Sequence, residues 1–298
     1  MTWLQFALAA PAIYALTNFI DKYLLERIIK DSRGMAVYTG FSGLLVGTVL
    51  WVVNGFPILS LRDSVLVLLT GVLSIWGFAA YYEALLQEST SKIIILFQMT
   101  PIFTLVLSML VLKESITLTA LLGFLLILFA AINMSSTDER GRFKFSKAFF
   151  LIMITDLFIA AAYIIFRFVV EGSSFVKIIS YESWGIFLGA VLLYLIFPRV
   201  RRAAKTNNQR MSVLGVGAIV MNESIYLAAK LFTYSAISLG SAALVSVIEG
   251  TQVFYGILYG AILTIIAPKI FKEDISKDGI LRTLFFAALA FVGIILLK

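Results

Sequence analysis

Lys113-Glu114-Ser115-Ile116-Thr117 and Lys272-Glu273-Asp274-Ile275-Ser276 are two versions of one short phrase. Each follows the end of a long apolar run, at Leu112 and at Phe271, and each stands just before another run. Working outward, Lys22-Tyr23-Leu24-Leu25-Glu26 is echoed by Arg167-Phe168-Val169-Val170-Glu171: cation, aromatic, two aliphatics, glutamate. Gly43 and Gly47 are echoed by Gly185 and Gly189. The three echoes keep their order along the chain, at offsets of 145, 142 and 159 residues. Ordered echoes at similar offsets indicate an internal duplication.

The duplicated unit is a membrane unit. Of the 298 residues 61% are apolar and 14% charged, and the mean hydropathy is +0.99. A soluble domain of this size has no use for so much apolar surface. A helix spanning the hydrocarbon core needs about 20 apolar residues. Ten such runs are read, at 3–25, 34–54, 64–87, 93–112, 118–134, 148–170, 179–197, 212–236, 242–267 and 281–297. Bare backbone polar groups are not tolerated in lipid, so each run is expected to be helical. The expected fold is therefore all-α and integral to the membrane: ten transmembrane helices in two five-helix repeats. The first repeat covers 1–134 and the second 148–298, joined by a polar linker over 135–147. Five is odd, so the second copy enters the bilayer inverted.

With no cysteine and no histidine, disulfide, thiolate and the usual zinc chemistry are excluded. Proton coupling, if present, falls to Asp, Glu or Lys. No Gly-x-x-x-x-Gly-Lys loop is present to bind a nucleotide, and no cofactor is implied. The first run has no basic residue before it and is too long for a signal-peptide core, so it is expected to be retained. The net charge of +7 is not a nucleic-acid signal, because the cations flank the runs. Loops on the side opposite Met1 carry 17 lysines and arginines and loops on the Met1 side carry 4. The positive-inside rule then predicts a multi-pass cell-membrane protein with both termini outside the cytoplasm.

The Lys-Glu turns are expected to be structural. Glu114 and Glu273 complement the dipole of the helix that follows each of them, and Ser115 or Thr117, and Asp274 or Ser276, cap it. Two five-helix repeats, each with a glutamate turn between its fourth and fifth helices, resemble the EamA-type transporters of the drug/metabolite transporter superfamily. The resemblance spans the whole chain. It departs from the family in having Lys-Glu where Gly-Glu is usual, and Arg282 where the second half would repeat Gly123. Family members are commonly drawn with cytoplasmic termini, against the charge bias. The resemblance implies a transporter of amino acids or similar polar metabolites, usually an exporter.

Ionisable groups inside a bilayer mark function by default. Asn222, Tyr226 and Lys230 share one face of the eighth run, with Glu223 close to it. Glu249, Gln252, Gly256 and Tyr259 form a stripe on the ninth, and the two stripes are expected to face each other. Two readings of Glu223, Lys230 and Glu249 stand: a structural ion pair, or a substrate or proton site, since burial raises a carboxyl pKa. Two carboxylates against one lysine leave a negative charge over, which favours a titrating group or a cationic substrate moiety. Asp156, and Tyr14 and Asn18 with Asp21, add polar groups from the sixth and first runs. Glu83 reads as a snorkelling surface carboxylate. Pro11 and Pro101 are expected to kink their helices, and Gln98 beside Pro101 suggests a cavity wall. Trp76 is a further cavity candidate, whereas Trp3 and Trp51 look like interfacial anchors. The glycine pairs read as close-packing sites, within one chain or between two.

These features predict a secondary transporter of small polar metabolites working by alternating access, monomeric or homodimeric, with Glu249 and Glu223 as candidates for proton coupling. Its partners are a small molecule and the lipid bilayer. The alternative is a membrane protein acting on lipids, as an enzyme on a lipid-linked substrate or as a scramblase.

Overall fold

The computed structural model describes residues 3–112, 117–135, 146–170, 175–208, 212–239, 245, 248–271, 273 and 276–296. Among these there is helix and no strand. Helix α1 (Trp3–Tyr23) passes into a wider π turn (Leu24–Ile29) that ends on Lys30 in the left-handed conformation, φ 58°. Then follow α2 (Ser32–Val53), α3 (Leu61–Leu85), α4 (Thr90–Leu96), a 3-10 turn (Phe97–Met99) and α5 (Thr100–Leu112). The rest are α6 (Leu118–Ser135), α7 (Lys147–Val170), α8 (Phe175–Ile196), α9 (Pro198–Asn208), α10 (Val213–Leu239), α11 (Gln252–Ile266) and α12 (Lys277–Leu296). Seven helical stretches among the described residues are long and apolar enough to cross a membrane: Trp3–Ile29, Ser32–Val53, Leu61–Leu85, Thr90–Val111, Lys147–Val170, Lys177–Ile196 and Val213–Leu239. Three further helices, α6, α11 and α12, fall on the fifth, ninth and tenth apolar runs.

The helices start where short polar side chains can hold their first amides. Asp31 accepts hydrogen bonds from the backbone N–H of Arg33 and Gly34 at α2, and Ser60 accepts from Asp63 at α3. Ser146, Ser212 and Ser276 do the same three residues ahead, at α7, α10 and α12. Such caps are typically worth about 1 kcal/mol each. Pro101 lies just inside α5, immediately after the 3-10 turn, so the fourth run is a broken helix. Pro11 is absorbed within α1 without ending it.

Packing runs chiefly between the two ends of the chain. Helix α3 lies along α7 and α8, α2 along α8, α1 along α10 and α11, and α6 along α12. Glycines bring backbones into contact. A Cβ on Gly71 would stand 2.1 Å from the Glu182 carbonyl oxygen, and one on Gly185 2.2 Å from that of Leu68. Gly43 and Gly47 face Ser183 and Trp184 of α8, and Gly256 and Gly260 face Ile94 and Ser91 of α4. The glycine pairs therefore pack helices within one chain. Gly123 meets Gly293 where α6 crosses α12, and Arg282 donates to the Asn133 carbonyl at the other end of that pair.

Several local expectations are corrected. Residues 198–208, read as a cytoplasmic loop, form the short basic helix α9 against α2 and α8. Glu273 also reaches an element that the sequence did not point to: its Oε1 accepts from the Ser91 amide, at the start of α4. Glu114, with Lys113, Ser115 and Ile116, lies outside the described residues, as do Lys272, Asp274, Ile275, Glu171 and most of the linker. Glu83 is no lone snorkeller. Its carboxylate accepts from Ser32 of α2 at 2.7 Å and pairs with Lys147 of α7 at 2.9 Å. Lys22, itself buried, donates to the carbonyls of Leu85, the last residue of α3, and of Glu88 just beyond it, and pairs with Glu26. There a cation meets the negative end of the helix dipole.

Candidate functional site

Helices α1, α3, α5, α7, α8 and α10, with the turn before α11, surround a cavity of about 120 Å³ into which polar side chains project. Of the polar residues singled out in the sequence, ten line it. Tyr14, Asn18 and Asp21 come from α1, Gln98 from the 3-10 turn, Asn222, Glu223, Tyr226 and Lys230 from α10, Glu249 from just before α11 and Gln252 from its first residue. The two polar stripes do meet: Thr233 of α10 donates a short hydrogen bond to Glu249. Further along the ninth-run stripe, Gly256 instead abuts Ile94 and Tyr259 packs among apolar side chains.

The carboxylates stand at two levels. Toward the basic side, Asp21 accepts from Asn222 Nδ2 at 2.7 Å and from the Tyr81 hydroxyl at 3.0 Å. Beside it Glu223 accepts from Thr39 of α2 at 2.8 Å. The single Thr39 proton goes to that carboxylate, so Tyr82, 3.0 Å away, donates to Thr39. Toward the other side, Glu249 accepts from Thr233 and, at 3.0 Å, from the Tyr163 hydroxyl. Glu182, 1% exposed at its side chain, pairs with Lys230 at 2.8 Å and accepts from Tyr234 at 3.0 Å. The Lys230 ammonium also lies 5.3 Å from the Tyr234 ring centre. Eleven helical residues separate Asn222 from Thr233, so the levels are roughly 16 Å apart along α10. Aromatic rings fill the interval: Tyr14 packs on Tyr226 with centroids 5.4 Å apart, and Tyr226 on Phe78 at 5.5 Å.

The partner of Lys230 is thus neither Glu223 nor Glu249 but Glu182, which the sequence reading left outside its candidates. Tyr81, Tyr82, Tyr163 and Tyr234 are likewise lining residues beyond those candidates. Tyr163 and Glu249 are far apart in sequence, and no spacing rule joins them. Asp156 is fully buried behind the wall, donated to by Thr100 at 2.6 Å, and reaches the cavity only through that threonine. Trp76 does not line the cavity. Its indole N–H donates to the Gly189 carbonyl at 3.2 Å and its ring packs on Phe197, so it seals the α3–α8 seam. Gln98, Thr100 and Pro101 do form cavity wall, at the break between α4 and α5. Among the described residues no cluster of three or more His, Cys, Asp and Glu is arranged to hold a metal ion.

Long apolar helices around a cavity lined by buried polar groups define a multi-pass membrane protein. Residues 1–136 match the model of the EamA-like transporter family, which lies in the drug/metabolite transporter superfamily, so over that part of the chain the match agrees with the resemblance read from the sequence. Members of that family are membrane transporters. No curated protein matches the chain. A solved crystal structure, described only as that of a protein, aligns with a TM-score of 0.59 over 96% of this chain and 95% of its own, at 12% identity. At that identity the likeness concerns the fold.

Proposed function

We propose that this chain is a secondary transporter of small polar metabolites, with ten spans in two inverted five-helix repeats that rock about the central cavity. The pairing of helices supports the inverted repeat. Helix α3 lies along α7 as α10 lies along α1, the relation expected if the third span and the sixth exchange roles with the eighth and the first. The observation that carries the transport reading is the cavity itself: buried carboxylates and hydroxyls from both halves converge on one enclosed space. A polar chamber deep among apolar helices is costly unless it serves a solute or an ion. Glu249, held by two hydroxyls from α7 and α10, is the proton-carrying group in this reading.

The test is uptake into proteoliposomes from a pooled metabolite mixture, with and without an imposed pH gradient, for wild type and Glu249→Gln. Saturable accumulation of one compound class that requires the gradient and is lost in the variant supports a proton-coupled carrier. Gradient-independent exchange kept by the variant makes Glu249 structural. Absence of any solute flux, with altered or redistributed lipid, turns the assignment to a lipid-directed protein.

A further inference from the structure

Four carboxylates line the cavity, Asp21, Glu182, Glu223 and Glu249, against one cation among the described lining residues, Lys230. That cation is already engaged: it sits 2.8 Å from Glu182. Hydrogen-bonding capacity is lopsided in the same direction. Glu182 Oε2, Asn222 Oδ1 and Gln98 Oε1 are buried acceptors without a partner among the described residues, whereas Asn18 Nδ2 is the one lining donor so placed. Their residues are 1%, 2%, 3% and 8% exposed. An unsatisfied buried polar group is costly, so this chamber is matched to a guest that brings N–H donors and positive charge.

The protein itself displays how such a guest is held. Lys230 is a primary ammonium on a four-carbon chain, and it is seated by one carboxylate oxygen and the face of Tyr234. The same ingredients recur without a resident cation at Glu223 and Glu249, which keep some accessible surface and stand beside the rings of Tyr14, Phe78 and Tyr226. Aromatic faces attract ammonium groups, the more so when both are desolvated. A substrate carboxylate, by contrast, has no unengaged cation to meet here and would face three carboxyl groups, Asp21, Glu223 and Glu249, that no cation pairs with among the described residues.

Resting on the transporter reading, we propose that the substrate is an organic amine: an ammonium group with an apolar body and no carboxylate. The ammonium is held by Glu223 or Glu249, and the body lies between Tyr14, Phe78 and Tyr226. This narrows the polar-metabolite class to amines and sets aside zwitterionic amino acids.

The matched probes are radiolabelled phenethylamine and phenylalanine, which differ by one carboxylate. Equilibrium binding is measured on the purified full chain, and flux separately in proteoliposomes. Phenethylamine binding at least ten-fold tighter than phenylalanine, weakened ten-fold or more by Glu223→Gln or Glu249→Gln and partly recovered in Glu249→Asp, is the expected result. Phenylalanine bound equally or more tightly, or no binding of either probe by wild type, overturns the amine assignment. Because the first comparison uses wild type alone, a variant that fails to fold leaves it decisive. Tight amine binding with no flux of any solute upholds the site while refuting transport. Saturable flux of carboxylate-bearing solutes without amine binding upholds transport and refutes the amine.

Discussion

Removing Lys230 should cost far more than removing any surface lysine of this chain. In Lys230→Met the methionine fills most of the lysine's volume but leaves Glu182 without its ion partner. The side chains of that pair are 9% and 1% exposed, and breaking one partner of a buried pair costs roughly 3–5 kcal/mol. For a chain of this length each kcal/mol moves the midpoint by about 2 °C, so the variant should melt roughly 6–10 °C below wild type. The Lys147–Glu83 pair is the internal control. Its side chains are 66% and 31% exposed, and Lys147→Met should cost no more than about 1 kcal/mol. The double variant Lys230→Met with Glu182→Leu removes both charges and should recover most of the loss, short of the hydrogen bond that Tyr234 gives up. The assay is thermal unfolding of detergent-purified protein at fixed pH and salt. A single variant melting within about 2 °C of wild type, or a double variant no better than the single, would refute the claim that this pair is desolvated and mutually dependent.

Gly71→Ala and Gly185→Ala place a methyl group against backbone of the facing helix and should lower stability by about 1–3 kcal/mol. Gly77→Ala, whose Cβ would find ordinary contacts from 3.5 Å outward, should be tolerated in the same melting assay. Tyr163→Phe removes one of the two hydroxyls that hold Glu249 and should weaken substrate affinity by about three- to ten-fold, the worth of one hydrogen bond, with expression unchanged. If Glu249 carries the coupling proton, Glu249→Gln abolishes the response of uptake to external pH, whereas Glu83→Gln leaves it intact. The chain has no native cysteine, so Lys30→Cys and Arg202→Cys should react with an impermeant maleimide only from the cytoplasmic face, and Arg62→Cys only from outside. The reverse pattern would invert the orientation drawn from the charge bias.

The helices were legible because lipid leaves the backbone no alternative and because the apolar runs are long. The polar face of α10 was legible for the same reason: Asn222, Tyr226 and Lys230 recur every fourth residue, and a helix must put them together. What lay beyond reach was the choice of partner across helices. Glu182 sits near the start of the seventh run, where a surface carboxylate is inexpensive, and nothing local says that α8 leans far enough in to meet Lys230. The hydroxyls of Tyr163 and Thr233 were equally silent, since tyrosine and threonine are ordinary in membrane helices until a carboxylate is found beside them. Trp76 misled because its depth in α3 suits a cavity and a packed seam alike. The bond from the Ser91 amide to Glu273 was out of reach because only the tertiary fold brings the start of α4 to it.

The manner in which the helices pair bears on how the protein is made. The most extensive partner of α1 is α10, that of α2 is α8, that of α6 is α12, and α3 divides itself between α7 and α8. The first half is synthesised before any of those partners exists. Until α7 and its successors arrive, the glycine-lined faces of α2, α3 and α6 lack the helices they finally pack on. Non-local partners delay folding, and half-assembled intermediates are the species prone to misassociation. Truncation after the linker should therefore yield a bundle of inserted but unpaired helices, vulnerable to membrane quality control, rather than a smaller stable protein.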